Sequence, residues 1–336
     1  MANVNVNKHS NMLIIGKGAT NKGRKQVVYA EKYSNVLNTF GDSELTRAFL
    51  LAKQMGAPYV FLMNCKQHYD YLDIVTSLRS SDFSYIVPTS IIISDEFDDP
   101  ATERRISYVE YLLEKIGNVN DSVFIVTDQH ASLYEDVDAF IEDMNNKAEI
   151  FRVKRRSPAV RENIIFVANN LVKHRLANVA LAAALCSTPV NRYPEADFGE
   201  VHFLLDQWED IGNWAYFQSH TLKNTSVENL LNFELAGNPL KIVFISRIIK
   251  MIKRELDFSE FIGKRYSEYQ RLSVRNKLER YLDSLMQSVL YEYEILATKP
   301  YKHKDEPLSI DITNVFDIWP ANCLEKVTIS NKIEVS

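Results

Sequence analysis

The chain has 336 residues, with 39 Lys or Arg against 44 Asp or Glu for a formal net charge of −5; 46% of it is hydrophobic and 25% charged. Such ordinary globular composition allows one large domain or two of average size and excludes a disordered, low-complexity polymer. No run of about 18 apolar residues occurs, so no membrane span is expected, and the polar start MANVNVNKHSNM lacks the apolar core of a signal peptide.

Along the first 185 residues, short β-branched runs alternate with helix-period segments, the pattern of a sheet covered by helices. Strands are expected at 12–15, 26–30, 59–65, 85–94 (broken at Pro88), 123–127 and 163–168. Their near-continuous apolarity implies burial on both faces.

Between the first two strands lies IIGKGATNKGRK, Ile14 to Lys25. A phosphate cradle of the form G-x-x-x-x-G-K-[ST] needs glycines that let N–H groups close on phosphate, a Lys for the outer phosphates and a hydroxyl for Mg²⁺. Gly18 and Gly23 have that separation, but Arg24 stands in place of the Lys and Lys25 in place of the hydroxyl. A working cradle also opens a helix, whereas Gln26-Val27-Val28-Tyr29 favours a strand. The loop is therefore expected to join two strands. IIISDE, residues 91–96, resembles the strand-plus-acid that holds Mg²⁺ in nucleotide hydrolases, but its partner loop fails.

Helices are punctuated by local chemistry. Asp42 or Ser43 caps one that runs to Gly56, and Asp99-Pro100 opens another, with Ile106, Val109, Leu112, Leu113 and Ile116 on one face before Gly117. Residues 171–186 read as a buried, alanine-rich helix. STPVNRYPEADFG, 187–199, is a loop at the surface or at an interface. Thr225-x-x-Glu228 reads as a capping box before a helix over 229–237.

Two long helices follow. Over 241–256, Ile245, Ile248, Ile249, Ile252 and Leu256 share one face, with Arg247, Lys250 and Arg254 opposite; over 267–291, Leu278, Leu282, Leu285 and Val289 fall at helical spacing. From Lys241 to Arg280 there are eleven Lys or Arg against five Asp or Glu, so this stretch carries +6 and the remainder of the chain −11. Such a patch suits nucleic acid or an acidic protein surface. The tail returns to alternation, with Ile310/Ile312 and Val327/Ile329 as inward sides of strands.

Chemistry-bearing patterns are sparse. Cys65, Cys186 and Cys323 are far apart in apolar or small-residue surroundings, and His68, His130, His174, His202 and His220 have no ligand-spaced neighbour, so neither metal nor cofactor is expected. There is no G-x-S-x-G elbow and no G-x-G-x-x-G opening a helix, so no catalytic residue is assigned. Asp95-Glu96 with Asp98-Asp99, and Glu135-Asp136 with Asp138, read as loop and helix-start charges.

The order of features carries more. Met12 to Gly16, the loop to Gly23, Val27-Val28, Ser34, Phe40-Gly41, a helix ending at Gly56 and the strand YVFLMNC together resemble the start of contractile tail sheath proteins of phages, R-type bacteriocins and type VI secretion systems. PLKIVFISRIIKMIKREL, VRNKLERYLDSLMQSVL and the closing strands are similar to that family's C-terminal portion, which packs against the inner tube. Three departures stand: the chain is short for a sheath, Gly56 is single where a glycine pair is usual, and prolines common around the first loop are missing.

The resemblance implies an α/β fold: a central mixed sheet flanked by helices, followed by a smaller α+β C-terminal part with long helices and terminal strand arms. The expected division is a linking arm at 1–11, an α/β body at 12–190, a tube-proximal portion at 191–320 and a second arm at 321–336. It further implies strand donation to neighbouring copies by Val4 and Val6 at one end and by Val327, Ile329, Ile333 and Val335 at the other. Arg247, Lys250, Lys253 and Arg254 are then the surface held against an acidic tube. The implied partners are further copies of the chain, the inner tail tube protein, and baseplate and tail terminator proteins, with no nucleic acid. The implied place is a virion tail or related particle, assembled in the bacterial cytoplasm. Two alternatives remain open: a nucleotide-binding α/β enzyme using the Gly16–Gly23 loop, and a minor sheath-like neck or baseplate component.

Overall fold

The computed structural model describes residues 10–65, 83–89, 96–99, 104–109, 111, 124–130, 134–154, 163–172, 176–190, 192, 194, 196–201, 211–221, 224–232, 243–256, 258–261, 267–286, 288–295, 300–301, 309–310, 316–320 and 333–334. Two compact units divide the chain. The first holds Asn7–Pro189 and Tyr193–Ser246; the second holds Val190–Arg192 and Arg247–Ser336.

The first unit is built on a six-stranded sheet. Its strands are β1 (Asn11–Gly16), β2 (Val27–Ala30), β3 (Tyr59–Asn64), β4 (Tyr85–Pro88), β7 (Phe124–His130) and β8 (Ile164–Asn169), with β5 (Glu96–Asp99) and β6 (Arg104–Ser107) outside it. The order across the sheet is β2-β3-β1-β4-β7-β8. All neighbours are parallel except β2, which runs antiparallel along the outer side of β3. Taken alone, the parallel strands are doubly wound, with the order reversing between β1 and β4.

Burial on both faces follows from strand geometry. Successive residues point to opposite sides of a strand, so Met12 and Ile14 of β1 enter one core while Leu13 and Ile15 enter the other. The first core is covered by α1 (Tyr33–Phe40), α2 (Glu44–Gln54) and α4 (Ala177–Ser187). The second is covered by α3 (Val137–Lys154), through Phe140, Ile141, Met144 and Ala148.

Ser43 caps α2 by accepting from the Thr46 N–H at 3.3 Å, as its sequence position predicts. The alanine-rich helix forms as α4, shorter at its start than expected. Leu171 instead lies in a bridge to Val201. Residues 177–186 of α4 are buried on every side. Small side chains permit that, because they let α2, β7 and β8 approach the helix backbone closely.

Two expectations are corrected. The helix predicted to open at Pro100 is preceded and followed by strand: β5 and β6 pair antiparallel, Phe97 opposite Ile106, and helical backbone begins only at Tyr108. Phe97 lies 4.5 Å from the Tyr108 ring and 5.5 Å from that of Tyr111, an aromatic contact that local periodicity does not reveal. Leu112, Leu113, Ile116 and Gly117 lie outside the described residues. The capping box Thr225–Glu228 is likewise strand. It belongs to β10 (Asn224–Glu228), paired with β9 (Tyr216–Thr221). Ser, Thr and Val suit a strand as well as a helix start, and the partner strand decides.

The second unit contains α6 (Glu268–Leu285) and β11 (Leu290–Ile295), β12 (Pro300–Tyr301), β13 (Ser309–Ile310), β14 (Phe316–Pro320) and β15 (Ile333–Glu334). Ser267 caps α6, and Val274, Leu278, Leu282 and Leu285 form its buried stripe. A three-stranded sheet runs β11-β14-β15, and β12 pairs with β13. Helix α5 (Val243–Glu255) begins in the first unit and ends in the second.

Candidate functional site

In doubly wound sheets, ligands sit beyond the carboxyl ends of the strands where the order reverses. Here that place is the end of β1 and of β4, where the glycine loop begins. The chain fills it with its own side chains. Thr89, just past β4, donates to the Glu44 carboxylate at the start of α2. A Cβ built on Gly16 would meet the Thr89 hydroxyl oxygen at 2.3 Å.

The loop itself is fastened by one buried amide. Asn64, the last residue of β3, accepts from the Gly18 N–H at 2.9 Å and donates to the carbonyls of Thr20 at 2.8 Å and Lys22 at 3.0 Å. Its own carbonyl accepts from the Lys25 N–H at 3.2 Å, and the Ala19 N–H donates to Phe40 at 2.7 Å. Side-chain atoms of Asn64 lie within 3.0 Å of where a Cβ on Gly18 would be, and Gly23 has φ +64°. Both glycines are thus required by shape. The N–H groups of Gly18, Ala19 and Lys25 serve the protein's own oxygens, and the loop leads into β2, not into a helix. It does not form a phosphate cradle. It presents Lys17, Lys22, Arg24 and Lys25 to solvent. Sequence reading missed Asn64; its one signal is an amide closing an apolar strand.

A second polar constellation lies at the carboxyl ends of β7 and β8. Asp128, buried, accepts from the Asn178 N–H and from the Asn169 side-chain amide, each at 3.4 Å. The same Asn169 nitrogen lies 3.0 Å from His130 Nδ1, and the Asn178 amide donates to the Pro88 carbonyl at 2.9 Å. Burial pushes the Asp128 carboxyl up to about 6, opposed by His130 and by the N–H groups of Asn178 and Ala177. Leu176, at the N-cap position of α4, offers no side-chain bond. A carboxylate from β7 therefore does the capping that the local sequence does not. Among the described residues no group of three or more His, Cys, Asp or Glu is placed to hold a metal, and no helix is long and apolar enough to cross a membrane.

The basic helix differs from expectation. Every residue of α5 from Val243 to Lys250 is buried, and Arg247 and Lys250 retain only 4% and 6% exposure. The Arg247 guanidinium donates to the Arg192 carbonyl at 3.4 Å. The periodicity that set these cations opposite the isoleucines is present, but packing encloses both faces, so Arg247 and Lys250 do not form an exposed surface. Lys253 and Arg254 fall in the last turn of α5, their side chains outside the described residues. Of the arm residues, Ile333 lies in β15, opposite Ile318 on β14 in the chain's own sheet. Val4, Val6, Val327, Ile329 and Val335 lie outside the described residues.

No family model matches the sequence, and no curated protein is similar to it in sequence. Solved structures are similar in fold. The sheath of an extracellular contractile injection system, PVC, in its contracted state superposes with a TM-score of 0.64 at 14% identity, covering 90% of this chain and 86% of that one. The contracted helical sheath of the anti-feeding prophage gives 0.64 at 10% identity over 94% and 91%. A sheath tail protein of Listeria innocua gives 0.60 at 12% identity over 98% and 96%. The chain has the fold of these sheath proteins along nearly its whole length.

Proposed function

We propose that this chain is a structural subunit of a contractile sheath, polymerising helically around an inner tube and storing energy for contraction. The observation that carries the reading is the extent of the fold match: both units, not the α/β part alone, are covered in sheath structures of about equal length. The filled switch point and the consumed loop amides support it against a nucleotide-binding enzyme.

On this reading the work comes from two packings of one subunit whose free energies differ by a few kcal/mol, summed over many copies, with the extended one kinetically trapped. The arms, 1–10 and the part of 321–336 other than Ile333 and Glu334, which pair with β14 in the chain's own sheet, lend strands to adjacent copies, so that bodies rotate while neighbours stay tied. A head-to-tail contact that does not close on itself generates the open helix. Lys253 and Arg254 carry the tube-facing role, since Arg247 and Lys250 are enclosed. Partners are other copies, the tube protein, and the baseplate and terminator proteins of a tail-like particle.

Negative-stain electron microscopy of the purified chain tests this. Ordered cylinders are expected, and their loss on trimming both arms. A chain that stays monomeric at high concentration, or trimmed chains that still build cylinders, would sink the reading.

A further inference from the structure

The cationic loop is exposed, and a fully buried amide holds its shape. Asn64 makes three side-chain bonds to a segment that displays Lys17, Lys22, Arg24 and Lys25. A surface ordered before it meets its partner loses less entropy on binding. The loop continues directly into β2, the last strand of the sheet on that side. There Tyr29 is 49% exposed, its ring 5.3 Å from that of Phe61 on β3. Cations beside an exposed tyrosine on an edge strand have the composition of a protein-docking surface.

The complementary charge lies on the same unit. The segment entering α3 and its first turns expose Glu135, Asp136, Asp138 and Glu142. Part of that acidity serves the helix: the Asp136 carboxylate accepts from the Asp138 N–H at 2.9 Å. Topology separates the two patches. Both sit at the carboxyl edge of the parallel strands, the basic one beyond β1 by β2 and the acidic one beyond β7. β2 and β7 are four strand spacings apart, ~19 Å at about 4.8 Å per strand. Opposite charges held apart on one sheet do not pair directly within the chain, but they match head to tail between copies.

We infer that the Lys17–Lys25 loop and the β2 edge with Tyr29 dock against the acidic start of α3, Glu135 to Glu142, in a second copy of this chain. The contact is heterologous and self-propagating, and its charges are exposed, so it weakens steeply with salt. It adds a body-to-body contact to the sheath reading, on which it rests for the existence of a repeating neighbour.

Sedimentation of the full chain over a salt series tests it, using a basic-reversed variant (Lys17→Glu, Lys22→Glu, Arg24→Glu) and an acidic-reversed variant (Glu135→Lys, Asp138→Lys, Glu142→Lys). Circular dichroism and a thermal melt establish that each is folded. Wild type is expected to self-associate, each variant alone to associate at least about tenfold more weakly at low salt, and an equimolar mixture of the two to recover association. Tyr29→Ser, which leaves all charges in place, weakens association without changing its salt slope and serves should a reversed variant not fold. Unchanged association in the variants, no recovery in the mixture, a chain monomeric throughout, or loop-dependent binding of polyphosphate with association unaffected would each overturn the proposal. Cylinders seen by microscopy from the basic-reversed variant would overturn this contact while leaving the sheath reading intact.

Discussion

The two cationic stretches of the chain are used in opposite ways. In α5, at the richest basic segment of the sequence, Arg247 and Lys250 are enclosed. In the loop after β1, four cations stand in solvent on a backbone pinned from beneath by Asn64. Charge density therefore does not locate the charged surface. A long cationic side chain on a helix lies along whatever packs over it, whereas a loop between an inner and an edge strand has little to cover it.

Four measurements break or sharpen that contrast. Arg247→Ala should have the largest effect, since it removes an enclosed cation and leaves its partners buried: a loss of about 3–4 kcal/mol by chemical denaturation. Lys22→Ala in the loop should stay within about 0.5 kcal/mol, and equal effects at the two sites would erase the distinction. Asn64→Ala comes next, at about 2–3 kcal/mol for the loop bonds lost, with faster proteolytic cleavage between Lys17 and Lys25.

The third concerns Asp128, a buried charge inside the same sheet. Its carboxyl is pushed up to about 6 from an ordinary 3.8, so the folded chain binds its proton more tightly than the unfolded chain does. Stability from this group is complete below about pH 4 and is lost as pH rises through about 6, by roughly 2–3 kcal/mol. Asp128→Asn should flatten that part of the profile; an unchanged slope would assign it to other groups. Apart from the Lys22→Ala control, the smallest effect belongs to Lys277, whose ammonium lies 2.6 Å from Glu260 and over the rings of Phe258 and Phe261 in partial solvent. Lys277→Ala should lose less than about 1 kcal/mol and less still at high salt.

Legibility in the sequence followed locality. The buried strands β1, β3 and β8 were legible because an apolar run needs no partner to identify it. Ser43 before α2 was legible because its cap is made three residues away. The helix start at Asp136 and Asp138 was legible as charge, although the eighteen residues of α3 were not singled out. The failures at Arg104–Ser107 and Thr225–Glu228 are segments whose composition suits helix start and strand alike, and a distant strand settled the matter. The glycine loop was rightly read as joining strands, but the residue that shapes it lies more than forty positions away in sequence.

By itself, then, the sequence determined the α/β alternation, the local caps and the failure of the phosphate-loop pattern, because each depends on neighbours within a few residues. Tertiary structure alone decided which cations are enclosed, which carboxylate caps α4 and which amide shapes the loop. Those outcomes depend on groups brought together by strand order and packing, and a side chain's exposure is a property of what lies over it, not of its place on its own helix.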